Sequence, residues 1–111
     1  MISATDLDRI AHRRVSVVAA VRDYAAQWSA YVAGTAASRT LLDECRAVGA
    51  AAVGRYMLDL ADLINADQAD DAMTMRAMAA LLQTKTTIAP HELAKQADLA
   101  ERLARLPVGA R

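Results

Sequence analysis

Residues 5–33 read TDLDRIAHRRVSVVAAVRDYAAQWSAYVA, and the spacing inside this stretch decides the fold. Leu7, Ile10, Arg14, Val17, Val21, Tyr24, Trp28 and Tyr31 recur at alternating steps of three and four residues. Side chains so spaced line one side of an α-helix, because a turn takes about 3.6 residues. Only Arg14 breaks the apolar series, while Val15 and Val18 widen the stripe. A seam sustained over this many turns predicts a long helix packed lengthwise against neighbours, in the manner of a coiled coil. A charge at a seam position costs stability and can set register, which makes Arg14 informative. The helix is expected to open at Ser3 or Thr5, where Thr5 and Asp8 have the spacing of an acidic capping box.

Gly34-Thr35 is the first plausible interruption. Two readings stand: a second helix capped by Thr35 or Ser38, or one continuous helix weakened at the glycine. The next pattern runs Leu42, Cys45, Val48, Ala52, Tyr56, Leu60, Leu63 and Ile64. Within it Gly49 and Gly54 bracket Ala50-Ala51-Ala52-Val53, so one face is nearly bare and predicts a close helix crossing. Asn65-Ala66-Asp67 is expected to end that helix. Asp67, Asp70 and Asp71 then favour the start of a third, because carboxylates cap free amides and meet the positive dipole end. The third helix carries Met73, Met75, Met78, Leu81 and Leu82. Thr84-Lys85-Thr86-Thr87 reads as a turn, and Pro90 suits the first turn of a fourth helix. Leu93, Ala97, Ala100, Leu103 and Ala104 form its apolar face. Glu92 with Gln96, Asp98 with Arg102 and Glu101 with Arg105 support its outer face, and Pro107 and Gly109 stop it. No strand pattern occurs. The expectation is an all-α, antiparallel bundle of four helices near 5–33, 36–65, 68–84 and 89–106, the first two long, in a single domain.

About a quarter of the 111 residues are alanine, phenylalanine is absent, and one tryptophan and three tyrosines are the only aromatics. Alanine favours helix because it loses no side-chain entropy, but each one buries little surface. Rods with few large side chains are thinly stabilised alone, so a dimer or larger assembly is expected. Thirteen basic and thirteen acidic residues cancel, which argues against nucleic acid as a partner. The lone Cys45 suits a reducing cytoplasm. Met1 to Asp6 lacks the pattern of a signal peptide, and no apolar run is long enough for a transmembrane segment.

The residues offer no catalytic constellation. His12 and His91 are far apart, and Asp59 and Asp62 at one-turn spacing read as solvated surface better than as metal ligands. Cys45 falls on an apolar stripe, where a thiol is inert packing. The four glycines are scattered and form no phosphate loop. The chain therefore reads as a non-enzyme without a cofactor. Three groups could serve as interaction surfaces: the basic Arg9, Arg13 and Arg14; the aromatic Tyr24, Trp28 and Tyr31; and the flexible thioethers Met73, Met75 and Met78. Core packing or solvation is the plain alternative for each.

Gln83-Thr84-Lys85-Thr86 through Pro90-His91-Glu92-Leu93 to Gln96 and Leu99 resembles the C-terminal half of phasins, small alanine-rich helical proteins that coat bacterial polyester granules. The resemblance covers about forty residues loosely. It implies a cytoplasmic, self-associating coat protein whose apolar helix faces adsorb to a hydrophobic surface. Trp28-Ser29-Ala30 lacks the glycine of the small secreted Trp-x-Gly proteins and falls within a helix, so that family is set aside. Two functions are thus expected. The first is a scaffold or coat that self-associates and binds a partner or hydrophobic surface. The second is a small regulatory adaptor or inhibitor docking on one macromolecular complex.

Overall fold

The computed structural model describes residues 3–35, 38–64 and 68–104. Its elements are all helical: α1 (Ala4–Val32), α2 (Arg39–Leu63), α3 (Ala69–Thr84) and α4 (Pro90–Ala104). At about 1.5 Å per residue α1 alone spans roughly 43 Å. It thereby sets the long axis of a body measuring 49 × 26 × 17 Å. The expected turn at Asn65-Ala66-Asp67, the stop at Pro107 and Gly109, and Arg105 as partner of Glu101 lie outside the described residues.

The first cap sits two residues earlier than the Thr5–Asp8 spacing implied. Ser3 Oγ accepts from the Asp6 amide at 3.1 Å, and the Ser3 amide donates to Asp6 Oδ2 at 3.3 Å. That closes a reciprocal capping box and satisfies donors the first turn leaves open. At the other end α1 stops and does not run on. Thr35 N–H donates to the Ala30 carbonyl at 2.8 Å and Gly34 N–H to that of Tyr31 at 3.0 Å. This is a Schellman cap, and it places Gly34 at φ +78°. Only glycine holds that conformation without a Cβ clash against its own backbone. Gly34→Ala should therefore lower stability by about 1 kcal/mol, measured as a lower urea midpoint at unchanged slope. Ser38, not Thr35, caps α2: its Oγ accepts from the Leu41 amide at 3.1 Å. Gln68 precedes α3 without a side-chain cap, but Asp70 and Asp71 lie in the first turn.

The helices touch in a definite order. Arg13 pairs with Asp59, while Arg39 lies over the Tyr31 ring, so early residues of α1 meet late residues of α2. Arg76 pairs with Asp62 and Arg46 donates to the Lys85 carbonyl, so α3 returns along α2. Helix α4 packs on both α1 and α2, with a smaller contact on α3. The bare face of α2 makes these approaches possible. A Cβ at Gly49 would sit 3.1 Å from Leu93 Cδ1, and one at Gly54 would sit 3.2 Å from Gln83 Nε2. Each glycine thus admits a different neighbour, α4 at one and α3 at the other.

The core joins Ile10, Val17 and Tyr24 of α1 to Val53, Tyr56, Met57 and Leu60 of α2, with Met75, Leu82 and Leu93 from the last two helices. Ile88, in the loop before α4, is buried with them. The seam is thus narrower than the sequence suggested. Val15 and Val18, expected to widen it, are 68% and 48% exposed. Glu101, expected on the outer face of α4, instead accepts a 2.5 Å hydrogen bond from the buried Tyr56 hydroxyl. Val48, expected on the inner face of α2, is also exposed.

Candidate functional site

Two places in this fold could meet something other than water and the chain itself. The first is the outward side of α1. Stepping one residue beyond the seam positions from Ile10 onward gives Ala11, Val15, Val18, Arg22, Ala25, Ser29 and Val32, again at alternating steps of four and three. Val15, Val18 and Val32 in this row are exposed, Val32 at 71%. Helix α1 therefore carries two adjacent rows, one buried at Ile10, Val17 and Tyr24 and the other turned outward. A groove between α1 and α4 runs beside the outer seam, floored by Val17, Val21 and Ala97. Arg22 on its α1 side and Asp98 on its α4 side make no ion pair among the described residues.

The second place is a pocket of about 210 Å³ between the last turns of α1, the first turns of α2 and the loop before α4. Tyr24, Trp28 and Tyr31 supply its aromatic wall, and Leu42 and Ile88 its aliphatic one. Tyr24 and Trp28 meet edge to face, with centroids 6.0 Å apart and ring planes at 88°, a geometry that sets the positive ring edge on the negative face. The Tyr24 hydroxyl donates to the Ile88 carbonyl, which ties the loop to α1. Burial pushes the Tyr24 phenol upward, with Arg46 opposing and Asp43 reinforcing.

Arg39, Asp43 and Arg46 bring charge to this pocket from successive turns of α2. Arg39 lies 5.6 Å from the Tyr31 ring centroid and donates to Asp43 at 3.2 Å. Arg46 Nη1 donates to the Lys85 carbonyl at 2.8 Å, whereas its Nε is buried and has no acceptor among the described residues. A buried donor left without a partner costs about 1–3 kcal/mol.

The residues singled out from sequence separate in the structure. Tyr24 is core, whereas Trp28 and Tyr31 keep exposed edges. Met75 is fully buried and Met78 is packed partly against the core, so neither forms an open surface. Met73, at 66% exposure, sits with Leu81 on the outside of α3. The basic group is largely engaged within the fold. Arg9 reaches Asp6 at 3.5 Å, and Arg13 joins α1 to α2 through Asp59 at 2.7 Å. Arg14 borders the α1–α4 groove beside Tyr56 and Glu101. Sequence reasoning overlooked Arg39 and Arg46 and read Leu42 as core alone, although their three-four spacing marks one face of α2. Nothing in the sequence linked that face to Ile88, because the loop that closes the pocket comes from forty residues further on.

Among the described residues no group of three or more histidines, cysteines or carboxylates could hold a metal ion. No helix among them is long and apolar enough to cross a membrane. No family model, curated protein or solved structure matches the chain.

Proposed function

We propose that this protein is a non-enzymatic helical scaffold or coat protein. Its four helices form an antiparallel bundle that self-associates in the cytoplasm and binds a partner or hydrophobic surface through apolar helix faces. The carrying observation is the outward seam of α1, with Val15, Val18 and Val32 exposed in one row. From Ala11 to Val32 that row extends about 31 Å, the length over which two helices pack as a coiled coil. Arg22 within this row and Asp98 across the adjoining groove carry opposite charges, so a second copy could answer each with its complement. The phasin-like stretch from Gln83 to Leu99 supports the coat reading, with adsorption to a granule-like apolar surface as the role.

Light scattering across a concentration series tests self-association, and partition onto dispersed triglyceride droplets tests adsorption. The wild-type chain should form dimers or larger species, and Val15→Glu with Val18→Glu should drive it to monomer while circular dichroism stays helical. Loss of droplet binding in the same variant would tie both properties to α1. A wild-type chain that stays monomeric at about 100 μM and ignores the droplets would overturn the proposal, since that concentration is ample for even a modest interface.

A further inference from the structure

On the side of α1 opposite the core, charge and apolar surface are arranged so that they complement themselves. Val15, 68% exposed, lies at the middle; exposed Asp8 stands seven residues before it and exposed Arg22 seven residues after. Seven residues make nearly two turns, so all three share one face, and each charge lies about 10 Å from Val15 along the axis. Ile10, Val17 and Tyr24 point the other way, into the core. We propose that this face pairs antiparallel with the same face of a second copy, about a two-fold axis at Val15, so that Asp8 of each chain meets Arg22 of the other. The pairing rests on the reading of α1 as the self-association face and adds its orientation and register.

Turning one helix end for end about Val15 exchanges positions at equal distances from it. Asp8 then faces Arg22 at both ends of the contact, and Ala11 faces Ala19 on both sides of the centre. Alanines there let the helix axes approach to about 8 Å, the near end of the range for packed helices. At that separation Val15 meets its own copy, and the exposed Val18 covers the exposed His12 of the other chain.

Charge selects this arrangement over the alternatives. Neither Asp8 nor Arg22 has an ion pair among the described residues, so each has an opposite charge to gain. A parallel pair would set Asp8 on Asp8 and Arg22 on Arg22, and like charges so placed repel. A lipid surface would accept the valines but press both charges toward an apolar medium, which is costly. The antiparallel pair answers both charges of both chains and closes on itself, because each chain uses the same patch.

Charge reversal tests the register. In low-salt buffer Asp8→Arg should weaken the dimer about tenfold or more, because it sets arginine on arginine at both ends of the contact. Arg22→Asp should do the same by opposing carboxylates. Each variant is a poor partner for itself but the complement of the other. An equimolar mixture of the two, and the double variant alone, should therefore pair with a Kd within about threefold of wild type. Sedimentation equilibrium gives these constants, and circular dichroism checks that the helices are kept. Arg55→Asp, an equal charge change at an exposed position of α2, is the control and should leave the Kd unchanged. If Val15→Glu with Val18→Glu dissociates the dimer but neither reversal does, the register is wrong and the self-association reading stands. No recovery in the mixture, or an equal loss in the control, also defeats the pairing. A wild-type chain that is monomeric at about 100 μM yet coats triglyceride droplets assigns the face to a lipid surface instead. One that does neither takes both proposals down together.

Discussion

Leu93→Ala is expected to lower the unfolding free energy by about 3 kcal/mol, within the range for removing a leucine from a rigid core. Leu93 is fully buried, and its Cδ1 occupies the space that a Cβ at Gly49 would crowd. The other buried positions of α4 are Pro90, Ala97, Ala100 and Ala104, each burying little apolar area, and Leu103 packs only partly against the core. Leu93 is thus the principal large anchor holding this helix to α2. Its truncation should not weaken the chain evenly. Amide exchange should accelerate over 90–104 well before it does in α2, because local opening of α4 requires few other contacts to break. Equilibrium urea unfolding gives the first quantity and hydrogen exchange the second. A loss below about 1 kcal/mol would show that the site collapses around the vacancy or that α4 is anchored elsewhere.

The second large effect is alkaline destabilisation centred on Tyr56. This phenol is fully buried and donates to Glu101 at 2.5 Å. Burial is the main force holding its pKa above 10, followed by the hydrogen bond to Glu101 and the nearby negative charge. Asp98 adds to the shift, and Arg14 across the groove opposes it. Tyr24 is also raised by burial; Asp43 and Glu92 act with that shift, and Arg46 and Arg39 against it. A raised folded pKa means that the folded chain holds its proton where the unfolded chain releases it. Stability is therefore full below pH 10 and declines as pH climbs from there toward the folded value. Each such tyrosine removes about 1.4 kcal/mol per pH unit in that window, so Tyr56 alone should take about 2 kcal/mol by pH 11.5. Urea midpoints measured at pH 8, 10 and 11.5 check this sign and size. Tyr56→Phe should start less stable at pH 8 by about 1 kcal/mol, because Glu101 loses its donor, and then fall less steeply above pH 10. Identical slopes for the variant and the parent would assign the alkaline loss to other groups.

How much of this could be read beforehand differs from element to element. The inner seam of α1 was legible because a three-four alternation has one geometric meaning on a helix, and Ile10, Val17 and Tyr24 do point inward. The small residues of α2 marked close packing, but not as the single face expected: Gly49 admits Leu93 of α4 and Gly54 admits Gln83 of α3. Val15 and Val18 were misread because they adjoin the seam. A one-residue step turns a side chain by about 100° on the helix, and whether that flank is covered depends on where α4 docks. Glu101 was misread because its carboxylate had an arginine at the right spacing along the chain, while Tyr56 comes to it from another helix. The pocket was illegible, since its two walls are separated by the whole of α3.

Periodicity along the chain was enough for the all-helical class and for the central inward positions of each helix, since these follow from groups a few residues apart. Packing between helices settled which caps form, which flank of α1 stays open, and which loop closes over the aromatic cluster. Those outcomes depend on distances between residues remote in the chain, and such distances are set by helix packing.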